Sequence, residues 1–328
     1  MTMPVIRRRT TVYVAAILSA ALVGCSGSDT PNADGETTAA TANSDAFPVT
    51  VESDFGDVTI EKQPERVVLV HPWYLDATLA LGVQPVAIFY SDEESLLADE
   101  PWVEGRYTGT VDPSLTSGGE AMPEAIAAWE PDLIIVADYQ VDEQIYEQLS
   151  EVAPTWAVPR PLGASGTWTA IGELTGHAEQ AKTANQEVED AYAAAAEKLS
   201  GLAGKTYISV SAEETEINVT SFGPWRELGL VPADNAALDS SGFYTISKEN
   251  MDELDADLVA VGTYASENVE EALEADPRFR ELPAYKNDAV FFYDTAMATA
   301  QLGPTSAIWL VDKIVAQFED SPLNTKGQ

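Results

Sequence analysis

The chain contains few side chains that can carry out covalent or metal chemistry. Its 328 residues include one cysteine, Cys25, and two histidines, His71 and His177. A site for bare zinc or manganese takes several imidazole, thiolate or carboxylate ligands, so two distant histidines argue against one. The sequence has no glycine-rich nucleotide loop, nucleophile elbow or HExxH motif, and acidic pairs such as Glu93-Glu94 are typical of a solvated surface. These residue types disfavour catalysis and favour non-covalent binding.

Aromatic side chains recur in the loops that follow the predicted strands. In open parallel sheets, a ligand lies outside the carboxyl ends of the strands. Rings at such positions can form a bowl around a bulky ligand, with a few polar groups to orient it. The sequence therefore predicts a binding site drawn from these residues: His71, Trp73, Tyr74, Tyr139, Trp225, Phe243, Tyr244 and Tyr264.

Cys25 ends a leader with the parts of a secretory signal. Arg7-Arg8-Arg9 precede an apolar run from Val12 to Val23, and small residues stand at the cut. The run is shorter than the roughly 20 residues that a membrane-spanning helix needs. With a cysteine directly after the cut, the leader resembles that of a bacterial lipoprotein. The resemblance implies a signal peptide over 1–24 and a diacylglyceryl group on Cys25, which anchors the protein on the extracytoplasmic face of the cell membrane.

The chain after the leader begins with a polar segment and is strongly acidic throughout. Residues 25–46 are small and polar without a hydrophobic period, which is typical of a disordered tether. Loss of the leader leaves 14 basic and 54 acidic residues, a net charge near −40. Such a charge repels nucleic acid and anionic lipid headgroups. We therefore expect no nucleic-acid partner, and contact with the membrane through the lipid anchor only.

The rest of the chain alternates short apolar runs with helical patterns, which predicts an α/β fold. A hairpin is predicted over 47–51 and 58–60. Further strands are predicted over 66–70, 85–89, 133–136, 155–158, 207–210, 216–220, 258–261 and 289–292. Helices are predicted over 75–81, 123–129, 178–202, near 225–228 and over 305–318. The helix over 178–202 would be about 35 Å long, enough to cross a small domain.

The two halves of this region repeat one pattern. In each half, a short helix with a glutamate, Glu124 or Glu249, leads through a turn to a buried strand and then to a tyrosine, Tyr139 or Tyr264. The repeat predicts two α/β lobes that face each other, with both tyrosines directed toward the space between them. The predicted division is an N-terminal lobe over 47–175, a connecting helix over 176–203 and a C-terminal lobe over 204–328.

The order and spacing of several segments give a resemblance to a known family. These segments are Phe47-Pro-Val-Thr-Val, Pro64-Glu-Arg-Val-Val, Ala80-Leu-Gly-Val, Glu124-Ala-Ile-Ala-Ala-Trp-Glu-Pro-Asp-Leu-Ile, Glu227-Leu-Gly-Leu-Val and Ile246-Ser-Lys-Glu. From about residue 47 to 318, the chain resembles the substrate-binding lipoproteins of ABC importers for ferric siderophores, heme and cobalamin. The resemblance implies two Rossmann-like lobes with central sheets, joined by a single long backbone helix, with the ligand cleft between the lobes.

The same resemblance implies a carrier rather than an enzyme. It would act as a monomer without a cofactor, capture a ferric siderophore and deliver it to a permease and its ATPase. Members of the family dock through one glutamate per lobe, which pairs with arginines on the two permease subunits. Glu124 and Glu249 are the matching positions here. Charges of this kind act mostly on the rate and orientation of docking.

The ligand class is where the sequence departs from the family pattern. Hydroxamate binders place aromatic residues at Tyr139 and at the Phe243-Tyr244 pair, and an arginine shortly before the first docking glutamate. That stretch reads Ser117-Gly118-Gly119-Glu120 here, and Arg106 and Arg160 are the nearest substitutes. We place Arg160 among the expected ligand-binding residues.

The small number of basic residues further restricts the charge of the expected ligand. A triscatecholate complex carries several negative charges and needs a cluster of Arg and Lys, whereas the whole chain has 17 basic residues. We therefore expect a hydroxamate or mixed-ligand ferric siderophore. Heme, with His71 and a tyrosine as axial ligands, is the alternative, and cobalamin is a third ligand of the same family.

Overall fold

The computed structural model describes residues 46–213, 216–220, 223–233, 244–263, 268–296 and 302–325. Cys25, the leader and the tether up to residue 45 lie outside these ranges, and so do Phe243 and Tyr264. None of the described helices is long and apolar enough to cross a membrane. Helices and strands alternate along the chain, which confirms the predicted α/β class.

Every predicted strand has a counterpart among the described residues, which also contain five short strands and six α-helices that the sequence analysis did not predict. In chain order the strands are β1 (Val49–Val51), β2 (Val58–Ile60), β3 (Val67–Leu69), β4 (Ala87–Ile88), β5 (Thr110–Val111), β6 (Thr116–Ser117), β7 (Glu120–Ala121), β8 (Leu133–Ala137), β9 (Thr155–Val158), β10 (Thr206–Ala212), β11 (Glu216–Thr220), β12 (Val231–Pro232), β13 (Tyr244–Ser247), β14 (Leu258–Gly262) and β15 (Val290–Tyr293). The α-helices are α1 (Leu75–Ala80), α2 (Glu93–Asp99), α3 (Pro123–Ala127), α4 (Glu143–Val152), α5 (Gly163–Thr175), α6 (Ala178–Lys198), α7 (Val269–Ala275), α8 (Pro277–Glu281), α9 (Pro283–Lys286) and α10 (Pro304–Phe318).

The first large sheet is entirely parallel and has the spatial order β5-β4-β3-β8-β9. Every residue of β3 and β8 is buried, which explains their unbroken apolar runs, because parallel sheets are covered on both faces. From β3 the chain builds outward through β4 and β5, and then returns to place β8 on the other side of β3. A topological switch point therefore lies between β3 and β8, where ligands of open α/β sheets bind.

The second large sheet is mixed rather than parallel. Its order is β13-β11-β10-β14-β15, with β12 also paired to β10. Strands β10, β14 and β15 are parallel, whereas β11 and β13 run antiparallel to their neighbours. The predicted helix near 225–228 is wrong, because this segment forms a turn in which the Leu228 N–H donates to the Pro224 carbonyl at 3.0 Å.

The long helix α6 stands between the two sheets in the sequence and confirms the predicted connecting helix. Its 21 residues span about 32 Å, and it buries a stripe of small apolar residues. Helix α5, which the sequence analysis did not predict, packs against it. A Cβ on Gly172 of α5 would lie 2.6 Å from the Cβ of Ala181 on α6, so the missing side chain permits this close crossing.

The closing helix α10 joins the two halves of the chain a second time. It packs on α6 and on α1, which lies in the crossover between β3 and β4. The Ser306 N–H in the first turn of α10 donates to Asp76 Oδ2 on α1 at 2.8 Å. The rings of Trp102 and Trp309 meet nearby, with centroids 5.3 Å apart. One buried cluster of apolar residues accordingly includes members of both sheets.

Candidate ligand-binding site

The candidate site lies at the carboxyl ends of β3, β8 and β9. Each strand is followed by a tight 3-10 turn, Pro72–Tyr74, Asp138–Gln140 and Arg160–Leu162 respectively. Gln140 is buried and ties the first two strand ends together. Its Nε2 donates to the Val70 carbonyl at 3.2 Å, while its Oε1 accepts from the Ala137 N–H at 3.1 Å. The loops that carry the site are therefore fixed to the switch point of the sheet.

Two large aromatic side chains stand exposed on these loops. Trp73 is 40% exposed and Tyr139 is 47% exposed. Their ring centroids are 6.1 Å apart at an interplanar angle of 65°. Adjacent exposed rings are typical of ligand-binding surfaces, and here the rings lie at the switch point. The pair forms an aromatic wall that a bulky ligand can cover.

One ion pair lies against this aromatic wall. The Arg160 guanidinium donates through Nε to the Asp138 carboxylate, and its Cζ lies 5.8 Å from the centroid of the Tyr139 ring. The hydrogen bond to Asp138 raises the pKa of Arg160 above its usual value. Burial and the nearby Asp138 charge raise the pKa of the Tyr139 phenol, which stays protonated near neutral pH. The site thus presents a cation whose charge Asp138 already balances.

A cavity of about 220 Å³ opens beside the aromatic wall. Tyr74 forms part of its lining, and burial raises the pKa of this phenol as well. Leu302, from the segment before α10, closes one side, and the Trp168 Nε1–H donates to the Leu302 carbonyl at 2.9 Å. The complete lining is Trp73, Tyr74, Asp138, Tyr139, Val158, Pro159, Arg160, Gly163, Ala164, Thr167 and Leu302.

The structure brings together four of the expected ligand-binding residues in this cavity, namely Trp73, Tyr74, Tyr139 and Arg160. His71 does not line the cavity. It lies behind the wall, partly buried, with its ring centroid 4.4 Å from that of Trp73 and 5.8 Å from that of Tyr139. Burial lowers the pKa of His71 to about 4, so the imidazole is neutral near pH 7.

Trp225 is a correction to the sequence-based site. Only 1% of its surface is exposed, and its ring packs at 5.5 Å from Phe291 and 6.4 Å from Tyr207. It belongs to the core beneath the second sheet. Gly223, at a φ of +96°, leaves room for the indole, since a Cβ there would lie 2.1 Å from the Trp225 Nε1. The sequence shows that an aromatic residue follows a strand, but it does not show whether the ring faces the cleft or the core. This is why Trp225 was assigned to the site.

Tyr244 is also placed outside the cavity. It is 39% exposed on β13, at the edge of the second sheet, and its hydroxyl donates to Glu253 Oε2 at 2.7 Å. That hydrogen bond raises the pKa of its phenol. Phe243 and Tyr264 lie outside the described residues. The lining residues Asp138, Pro159 and Leu302 were not predicted, although the first two directly follow strands β8 and β9.

The two glutamates of the repeated pattern occupy similar places in the two halves. Glu124 lies in the first turn of α3, and Glu249 lies in the first turn of the 3-10 segment Lys248–Leu254. Both side chains are exposed. Glu249 borders a second cavity of about 450 Å³, which is also lined by three other carboxylates, by Arg278 and by the apolar residues Met251, Leu282 and Pro283.

A family model described as "Periplasmic binding protein" matches residues 67–297, a range that includes every strand of both large sheets. The chain belongs to this family. Among curated relatives, the Fe(3+) dicitrate-binding periplasmic protein FecB of Escherichia coli is 27% identical over 292 residues, covering 85% of this chain and 93% of that protein. The probable siderophore-binding lipoprotein YfiY of Bacillus subtilis is 27% identical over 283 residues, covering 79% and 84%.

Solved structures agree with the family assignment. A periplasmic solute binding protein from Mycobacterium smegmatis superposes with a TM-score of 0.69 at 26% identity, covering 82% of this chain and 97% of that one. The match extends over nearly the whole of that protein, so the two proteins share their overall fold. The predicted family resemblance is confirmed.

Proposed function

We propose that this member of the family is the extracytoplasmic substrate-binding lipoprotein of an ABC importer for a ferric siderophore. The exposed pair Trp73 and Tyr139 at the switch point is the observation that carries the proposal. A ferric siderophore supplies the oxygen ligands of its own iron, so its carrier needs ring surfaces and a few polar groups. The names of FecB and YfiY, which specify ferric dicitrate and siderophores, support the same ligand class.

Charge supports a neutral or cationic complex, of hydroxamate or mixed-ligand type. Arg160 is the basic residue in the cavity lining, and Asp138 balances its charge. The segments between residues 46 and 325 that lie outside the described ranges contain no lysine, arginine or histidine. A triscatecholate or a citrate complex would have to compete with Asp138 for Arg160 and leave that carboxylate beside an anion.

An affinity series by tryptophan fluorescence quenching tests the ligand class. The panel is a ferric trihydroxamate, a ferric triscatecholate, ferric dicitrate, hemin and cobalamin, each titrated into the purified protein at fixed ionic strength. We expect the trihydroxamate to bind most tightly. Tightest binding of the triscatecholate would overturn the charge argument, and no binding of any ferric chelate would overturn the proposed function.

A matched pair of variants tests the position of the ligand. Trp73 and Tyr244 are 40% and 39% exposed, but only Trp73 lines the cavity. A tryptophan presents about 250 Å² of surface, so a ligand over Trp73 covers about 100 Å², worth about 2.5 kcal/mol. Trp73→Ala should therefore weaken binding about 60-fold. Tyr244→Ala should leave the affinity unchanged, and an equal loss in both variants would contradict the proposed position.

The exposed residues Glu124 and Glu249 are candidates for docking on the permease. We propose that Glu124 and Glu249 pair with arginines on the two permease subunits, one on each of the lobes 47–175 and 204–328, while the ATPase drives transport. Both are exposed at the start of helical segments. Charge reversal to Arg at either position should lower stimulation of the reconstituted transporter's ATPase without changing ligand affinity. Glu271→Arg, at an exposed position on α7, is the control and should have no effect.

The remaining parts of the proposal concern the anchor. We propose a signal peptide over 1–24, lipidation at Cys25 and a tether over 25–46, so that the carrier is held at the outer surface of the cell membrane. The carrier would act as a monomer, with no cofactor, no catalytic residues and no nucleic-acid partner. YfiY is named a lipoprotein, which supports this arrangement.

A further inference from the structure

The backbone around His71 fixes which of its two ring nitrogens carries a proton. His71 is the N-cap of the 3-10 turn Pro72–Tyr74, and its Nδ1 accepts a hydrogen bond from the Trp73 N–H at 3.3 Å. A backbone N–H can only donate, so Nδ1 must offer its lone pair. In a neutral imidazole the proton then resides on Nε2. The ring is neutral near pH 7, because burial lowers the pKa of His71 to about 4.

The imidazole also supports the aromatic wall from behind. Its ring lies 4.4 Å from that of Trp73, 5.8 Å from that of Tyr139 and 6.3 Å from that of Tyr74. Three aromatic rings of the site thus converge on one imidazole that is not part of the cavity lining. This side chain touches the two sides of the wall, one following β3 and the other following β8.

We propose that His71 is a positioning residue, which holds Trp73 and Tyr139 in place for the ligand, and that it is not an iron or heme ligand. The inference rests on the ligand site of the proposed function. Coordination through Nδ1 would require loss of the bond from the Trp73 N–H. Coordination through Nε2 would require moving its proton to Nδ1, where it would face the N–H of Trp73, donor against donor. Either route sacrifices the cap that orients the Trp73 loop.

Long-range proton–nitrogen NMR tests the tautomer without any ligand. The chain has only two histidines, so a spectrum of protein with labelled histidine contains two ring systems, and His71→Asn identifies one of them. We expect His71 to be the Nε2–H tautomer at pH 7 and to remain so after a ferric trihydroxamate is added. An Nδ1–H tautomer would overturn the proposal, whether or not any siderophore binds.

Two substitutions separate positioning from ligation. His71→Asn keeps a strong N-cap acceptor but loses the ring, whereas His71→Ala loses both. Loss of a cap corresponds to about 2- to 30-fold in an equilibrium constant. We expect His71→Ala to weaken binding of the ferric trihydroxamate by about that factor and His71→Asn to recover part of the loss. Equal losses in the two variants would contradict capping as the means of positioning.

Titration with hemin tests the alternative, in which His71 is an axial ligand. If His71 were an axial ligand, addition of hemin to the wild-type protein would give a Soret band that both substitutions abolish. We expect no Soret band that depends on His71. Near-UV circular dichroism of each variant shows whether it is folded, and the tautomer measured in the wild-type protein decides the proposal even where a substitution prevents folding.

Discussion

Asp76 provides a sharp test of how the two halves of the chain are held together. It is 3% exposed on α1, its Oδ2 accepts the Ser306 N–H of α10 at 2.8 Å, and its Oδ1 lies 3.2 Å from Arg106 Nη1. Gly303 packs so tightly on this carboxylate that a Cβ there would lie 2.3 Å from Oδ2. The carboxylate therefore caps α10 and pairs with a partly buried arginine at the same time.

The cost of removing Asp76 can be worked out from these contacts. Asp76→Ala leaves the buried Ser306 N–H without its acceptor, which costs about 1–3 kcal/mol, and leaves Arg106 without its partner. Breaking a buried ion pair from one side typically costs about 3–5 kcal/mol in total. We expect Asp76→Ala to lower the free energy of unfolding by about 3–4 kcal/mol. Asp76→Asn keeps an acceptor for the Ser306 N–H, so about half of that loss should remain.

Urea denaturation followed by circular dichroism at pH 7 measures these free energies, and amide hydrogen exchange locates the effect. The Ser306 and Ala307 amides should lose protection in Asp76→Ala before the strands of either sheet do. Asp312→Ala, an exposed carboxylate on the same helix α10, is the control and should change the free energy of unfolding by less than about 0.5 kcal/mol. A loss below about 1 kcal/mol in Asp76→Ala, with unchanged exchange at Ser306, would refute the capping argument.

Three further predictions concern the buried acid, the core tryptophan and the anchor. Burial and the neighbouring Asp76 charge raise the pKa of Glu100, so the unfolded chain releases a proton above about pH 4.5 that the folded protein keeps. This group should therefore make the wild-type protein less stable as the pH rises above about 4.5. Glu100→Gln should have a higher melting temperature than the wild type at pH 8, and the difference should be smaller at pH 4. Equal melting temperatures at pH 8 would contradict this. Trp225→Phe should leave ligand affinity unchanged and lower the free energy of unfolding by about 1 kcal/mol, because the indole is buried in the core; weakened binding would place it in the site after all. Cys25→Ala should abolish incorporation of labelled fatty acid and release the protein from membranes, and retained label would disprove lipidation at Cys25.

The elements with strong periodicity were predicted closely. Strand β11 has the predicted bounds, and α10 begins one residue before the predicted start. Helix α6 begins at the predicted Ala178, because its residues are strong helix formers without proline. Helix α5 was not predicted because it includes Gly163, Gly166 and Gly172, and each interior glycine costs about 1 kcal/mol relative to alanine. Packing on α6 stabilises it, and contacts of this kind are not visible in a local pattern.

The residues of the candidate site that directly follow strands could be predicted from the sequence. Tyr139 and Trp73 follow β8 and β3, and the rule that ligands lie at carboxyl ends led to both as candidates, although it also led to the buried Trp225. The sequence could not predict that Leu302 lines the cavity. Its carbonyl accepts a hydrogen bond from Trp168, which lies 134 positions away, and this contact forms only in the folded chain. The pairing of Asp138 with Arg160 depends in the same way on the adjacency of β8 and β9.

The position of iron in a complex with a ferric trihydroxamate tests the central claim most directly. Anomalous scattering at the iron edge locates the metal in a crystal without any assumption about the ligand's conformation. We predict a single strong peak beside the rings of Trp73 and Tyr139, near the Arg160–Asp138 pair and without a protein atom in its coordination sphere. A peak elsewhere, such as the cavity at Glu249, or iron bound directly to His71, would contradict the account.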